Sequence, residues 1–220
     1  MKRKEHESLL VVKKSKFLFS ITFTFVLPIC TVFSPLPLLI FNILYFPFTL
    51  AHEVGHFVVI KLVLPSLDPH LKFYISNGEF CCACLTTNEF PHCWQSIIAM
   101  FAGSTSVITL AILGSLFWMK SGSLNDTGKY YLTFGVLADL PNLLPILPST
   151  LRFVNDGFAI NSYLCQMGYS FSLSNKISYL FSVISILMVL TSFFFLGMFL
   201  YRLGEHLVTK FEKGEMNESI

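Results

Sequence analysis

His52-Glu53-Val54-Gly55-His56 is the stretch in which residue type and spacing together define a chemistry. On an α-helix, residues four apart share a face, so the two imidazoles can meet one metal ion. Glu53, beside the first histidine, is placed to act on water at that metal rather than as a ligand. Gly55 and Ala51 are small enough to let a neighbouring helix approach closely. Two imidazoles leave a catalytic zinc one protein ligand short, with the last position kept for water. The residues that can complete the set are Asp139, Asp156, Glu205 and His206. Asp156, in Asn155-Asp156-Gly157, is favoured on position. Asp139, three residues before Asn142, is its competitor. Glu205 and His206 follow the last apolar run and read as a solvated tail. The histidines also fit a bland role as satisfied core residues, or a proton relay. Three ionisable groups in one apolar turn are nevertheless hard to bury without a cation.

The setting of this motif is apolar. Of 220 residues, 54% are hydrophobic and 13% charged, with mean hydropathy +0.66. Soluble domains carry roughly 25% charged residues, so this chain cannot cover a water-facing sphere with polar groups. Its composition equally excludes a disordered chain, a collagen and a coiled coil. The fold class is therefore an all-α polytopic membrane protein. Apolar runs predict about five transmembrane helices, over 17–34, 38–64, 94–119, 129–148 and 177–201. A basic N-terminal segment (1–16) precedes this membrane domain (17–205), and a polar C-terminal tail (206–220) follows it. Ser34-Pro35-Leu36-Pro37 reads as a turn between the first two spans. Pro141, Pro145 and Pro148 break the fourth.

The net charge of +2 is unevenly placed, for six of the fifteen Lys and Arg lie within the first sixteen residues. A basic cluster directly before an apolar run reads as a cytoplasmic anchor, and the rival signal-peptide reading lacks a small-residue cleavage site. The partners this implies are the lipid bilayer and no nucleic acid, since no basic folded face is visible. With the N-terminus cytoplasmic, strict alternation of five spans puts the 66–92 and 149–176 segments on the cytoplasmic side.

With these residues in view, the sequence resembles the site-2 protease family of intramembrane zinc metalloproteases. His52-Glu53-Val54-Gly55-His56 stands where that family has its first zinc motif. Phe101-Ala102-Gly103-Ser104 is similar to its Ala-Gly-Pro segment with Ser in place of Pro. Asn142-Leu143-Leu144-Pro145 is similar to its Asn-x-x-Pro element, and Asn155-Asp156-Gly157 to its closing Asp-Gly, fourteen positions beyond Asn142. The resemblance covers roughly residues 38–165. It implies a three-helix catalytic core, Zn2+ held by His52, His56 and Asp156, and cleavage of membrane-anchored protein substrates. Glu53 would act as general base. Asn142 is the implied oxyanion donor, against an equal alternative of satisfying backbone freed by Pro141 and Pro145. The readings from other classes are a catalytically inactive relative that binds metal or a partner in the membrane, and a transporter. The second is disfavoured because the chain has no repeated halves.

Between the second and third spans, Lys72–Ser76 and Glu79–Thr86 flank Asn77-Gly78, a strong hairpin signal. In the resembled family a strand near the site is thought to pair with unwound substrate. Cys81, Cys82, Cys84 and Cys93, with His92 and His70, match no zinc template and read as reduced thiols. Cys30 and Cys165 read as packing residues.

Overall fold

The computed structural model describes residues 2–33, 35–76, 79–86, 90–91, 93–120, 125–144, 156–169 and 175–212. Helix α1 (Lys2–Phe33) is followed by α2 (Pro35–Val63), a 3-10 turn at Pro65–Leu67, and strands β1 (His70–Ser76) and β2 (Glu79–Thr86). Then come α3 (Trp94–Lys120), α4 (Asn125–Asp139), a 3-10 turn at Leu140–Leu143, α5 (Asp156–Gln166) and α6 (Asn175–Glu212). The two strands pair antiparallel from His70 opposite Thr86 to Ser76 opposite Glu79, with an irregularity between Lys72 and Tyr74. Asn77 and Gly78 lie outside the described residues.

Three helices are long and apolar enough to cross a membrane, through Leu39–Val63, Trp94–Phe117 and Tyr179–Thr209. Their outward positions carry large apolar side chains such as Ile43, Leu62, Ile112, Phe117, Val183 and Ile186, while Ser96, Ser104 and Ser192 are buried. Apolar outside and small polar inside is the distribution expected of helices packed in lipid.

Several element boundaries differ from the sequence reading. The expected turn at 34–37 contracts, because α2 begins at Pro35. In a first helical turn the missing proline N–H would be unpaired anyway. Pro47 sits inside α2, where it withholds an N–H and crowds the preceding turn. In that turn the Leu44 carbonyl accepts a bond from Tyr131 Oη of α4 at 2.6 Å. Among the described residues the fourth run yields α4, fifteen residues or about 22 Å long, shorter than a hydrocarbon core of about 30 Å; residues 145–148 lie outside them. Glu205 and His206 do not form a solvated tail: α6 continues through them to Glu212, and Arg202 Nη1 lies 3.2 Å from Glu205 Oε2.

The order of the helices at the two ends also departs from strict alternation. Helix α2 runs parallel to α4, with Leu44 beside Tyr131 and His52 beside Asp139, so both begin at one end. Lys16 Nζ lies 5.1 Å from the Tyr130 ring centre, Ser15 Oγ is 2.8 Å from Tyr201 Oη, and Arg202 Nη2 is 3.9 Å from Asp126. Residue 16 therefore shares that end with the starts of α2 and α4. The 17–34 run lies against α6, Phe17 on Phe194 and Ser20 against Gly197, and does not carry the chain to the opposite end. Around the end of α2 and the start of α3, two small clusters hold the far end. One is Ile60, Leu67 and Ala99; the other is Ile97, Met100 and Ile160 of α5. The hairpin is thus at the end opposite residue 16, where five alternating crossings predict the same side.

Between the two ends lies the main core: Phe48, Val107, Leu132, Phe134 and Leu196, drawn from α2, α3, α4 and α6. Phe41, Tyr45, Tyr131, Phe193 and Phe199 surround it, with ring centres 4.9–6.2 Å apart. Gly135 makes this possible, since a Cβ there would overlap the Phe48 ring.

Candidate metal centre

His52 and His56 project from one face of α2 towards α3, and both are buried, 7% and 5% exposed. They sit eleven and seven residues before Val63, so His52 is about 16 Å along the helix from its end. Two glycines bring the helices together. A Cβ on Gly55 would meet the Ala102 carbonyl at 2.5 Å and overlap Ser106 Oγ. A Cβ on Gly103 would stand 2.5 Å from His56 Nε2 and 2.6 Å from His52 Nε2. The hydrogen of Gly103 therefore floors a cradle formed by both rings.

The third side chain arrives from a hundred residues away. At the end of α4, Asp139 is followed by the 3-10 turn Leu140–Leu143, tightened by Pro141 and closed by Leu144 N–H donating to the Pro141 carbonyl at 3.1 Å. The start of α5 abuts this turn. Gly157 permits the contact, because a Cβ there would lie 2.5 Å from Leu144 C and overlap the Leu143 carbonyl oxygen. Asp156, the residue before that glycine, is thereby held with Oδ2 3.1 Å from His52 Nε2 and 3.4 Å from His56 Nε2. The two Nε2 atoms are 2.9 Å apart.

The outer ring nitrogens decide what those inner atoms are. His56 Nδ1 is 2.7 Å from the Ala99 carbonyl oxygen, which can only accept, so Nδ1 carries the proton and Nε2 presents a lone pair. His52 Nδ1 lies 2.9 Å from Asp139 Oδ1, close but off the in-line approach. Asp139 is 2% exposed, and its Oδ1 accepts from Tyr45 Oη at 3.2 Å and Asn142 Nδ2 at 3.3 Å. Two imidazole nitrogens and a carboxylate oxygen thus converge within 3.4 Å in a buried site. Asp156 Oδ2 has no hydrogen-bond donor. Three potential ligand atoms brought this close are stabilised when a cation stands among them. Tetrahedral zinc with bonds of about 2.0–2.1 Å separates its ligands by about 3.3 Å, so the donor set fits such an ion in identity, burial and spacing.

Of the sequence candidates, His52, His56 and Asp156 come together, and among the described residues they alone form a group with metal-ligand spacing. Asp139 is adjacent but on the Nδ1 side of His52. Glu205 and His206 are at the other end of the molecule, on α6. Glu53 is half-buried, next to His52 on the helix. Asn142 donates to Asp139. Tyr45, Gly103 and the Ala99 carbonyl were not legible as parts of the centre. For Tyr45 a weak signal existed in the sequence, as it lies seven residues before His52 and hence on the same helical face.

Beyond the end of α2, His70 pairs with Asp68 at 3.0 Å, both exposed. Lys61, first, and then His70 hold the Asp68 carboxyl below the usual carboxylate range. Cys93 Sγ is 3.5 Å from Ser96 Oγ. Cys165 is exposed on α5 instead of packed, and Cys30 is partly buried. His92 and the side chains of Cys81, Cys82 and Cys84 lie outside the described residues. No protein-family model matches the chain, and neither a curated protein nor a solved structure is significantly similar to it.

Proposed function

We propose that this protein is an intramembrane zinc endopeptidase of the site-2 protease type, acting on membrane-anchored protein substrates. The observation that carries the reading is the meeting of His52 Nε2, His56 Nε2 and Asp156 Oδ2 within 3.4 Å inside apolar helices, with an acid next to the first histidine. His52, His56 and Asp156 would hold the ion and leave a position for water or substrate. When bound, zinc acidifies water and polarises a carbonyl. Glu53 accepts the proton of the attacking water as its oxygen adds to the scissile carbonyl carbon. It returns that proton to the amide nitrogen as the C–N bond breaks. A metal-storing or partner-binding protein has no use for a base at this position. The burial of both imidazoles keeps bulk water from competing at the reacting carbon. The hairpin that follows α2 offers strand edges for an unwound substrate segment, the form a helical substrate must adopt to expose a peptide bond.

The paired test is Glu53→Gln against Asp156→Ala on a model membrane substrate. Cleavage should vanish in both, with zinc kept at one per chain in the first and lost in the second. Proteolysis surviving in Glu53→Gln would remove the mechanism.

For orientation, ten of the thirteen Lys and Arg in the described residues belong to segments that meet at the residue-16 end, the others being Lys61, Lys72 and Lys176. The positive-inside rule makes that end, and the N-terminus, cytoplasmic. The hairpin then faces the opposite side. Single cysteines introduced at Lys14 and at His70 in a chain otherwise free of cysteine should label from opposite sides of a sealed vesicle. Labelling from one side would reverse this assignment.

A further inference from the structure

Asp139 is a buried carboxylate that the proposed chemistry leaves without a task. In the described residues it touches three polar groups: Tyr45 Oη at 3.2 Å, Asn142 Nδ2 at 3.3 Å and His52 Nδ1 at 2.9 Å, all at Oδ1. The two ring nitrogens of an imidazole point away from each other, so a group at Nδ1 cannot share an ion held at Nε2. Asp139 is therefore excluded as a ligand beside His52 Nε2, although by sequence it rivals Asp156. Its side chain does not cap the backbone of the turn that follows it.

We infer that Asp139 is a positioning residue: Tyr45 and Asn142 hold its Oδ1 2.9 Å from His52 Nδ1, where it favours the proton on Nδ1 and turns Nε2 towards Asp156. Resting on the metal reading, this inference also divides labour between the two imidazoles. His56 has a neutral backbone carbonyl behind it, from Ala99 at 2.7 Å, whereas His52 has a full negative charge. A carboxylate behind a ligating histidine fixes the ring and raises its basicity, and loss of such a partner typically weakens metal binding 10–100-fold. His52 is accordingly the stronger donor of the pair. Asn142 acts in this arrangement through Asp139, as a holder of the carboxylate. Its amide donates to Oδ1 at 3.3 Å.

The test uses the purified full-length chain in lipid nanodiscs, with zinc affinity measured by chelator competition and 15N signals recorded from labelled histidine. Asp139→Asn keeps the shape and removes the charge. It should lower zinc affinity about 10–100-fold at unchanged one-to-one stoichiometry, with the metal-free melting temperature unmoved. In the zinc-free state the His52 signals should move from a single Nδ1-protonated tautomer to a mixture, while those of His56 stay. Tyr45→Phe and Asn142→Ala leave the charge in place and should each give a smaller loss, which serves if Asp139→Asn does not fold. Zinc affinity within twofold of the unaltered chain in all three variants would overturn the inference and leave the metal centre standing. An unaltered chain that takes up no zinc would overturn both. Loss of one-to-one stoichiometry in Asp139→Asn alone would make Asp139 a ligand and overturn the positioning role.

Discussion

In its first half α2 presents Phe41, Tyr45 and Phe48 to α4 and α6; in its second half it presents His52, Gly55 and His56 to α3. The first surface is held by volume. Rings from four helices fill the centre of the bundle, and Gly135 is the single concession that admits Phe48. The second is held by the absence of volume. Gly55 and Gly103 remove side chains so that backbone and imidazoles can meet at distances a Cβ would forbid. Tyr45 belongs to both halves, its ring in the aromatic cluster and its hydroxyl on Asp139. One helix thus carries a stability surface and a chemistry surface in series, and substitutions should separate them.

The largest separation is expected from Phe48→Ala. Emptying this fully buried position should destabilise the fold by about 3–5 kcal/mol, read by thermal unfolding in detergent. The chains that remain folded should still bind one zinc. A parallel loss of zinc stoichiometry would show that the two surfaces are not separable. Gly103→Ala is the converse. Its methyl falls on both imidazoles and should cost about 1–3 kcal/mol of overpacking. That cost should appear as a roughly ten- to hundredfold loss of zinc affinity, with a smaller change in melting temperature. Unchanged affinity would mean that α3 can retreat and that the cradle is not a constraint. The smallest effect belongs to the boundary between the halves. Tyr131→Phe removes the donor to the Leu44 carbonyl beside the Pro47 interruption and should cost about 0.5–1.5 kcal/mol with no effect on zinc.

Much of the centre was legible because helical periodicity is local. His52 and His56 share a face whatever surrounds them, and Glu53 follows from the same motif. Gly55 as a close-approach position follows from its size alone. Asp156 needed more. Its separation from the histidines is closed by Gly157 against the Leu143–Leu144 backbone, and a glycine beside an aspartate does not announce which backbone it will touch. Position in the sequence favoured Asp156 over Asp139, both acids near proline-broken helix ends, without deciding between them. What separates them is which nitrogen of His52 each one meets, a matter of about one ring width.

Hydropathy marked the long apolar helices, but among the described residues two of the five apolar runs are not in the three helices long and apolar enough to cross a membrane. Helix α4 stops at Asp139 because Pro141 and the 3-10 turn end it at the depth of the centre. The 17–34 run stays at the end where residue 16 lies because Gly197 and Ser20 let α1 settle against α6. Neither event has a signature in hydropathy, which measures transfer into lipid and is silent on which neighbour a helix finds there.

By itself, the sequence determined that this chain avoids water, that its long runs are helical, and that two imidazoles and an acid occupy one turn. Those properties depend on composition and on contacts within a few residues. Only the tertiary structure decided which carboxylate faces the imidazoles, which one stands behind them, and towards which end of the bundle the hairpin lies. Each of these is a relation between segments far apart in the chain, settled by where a missing Cβ lets two backbones touch.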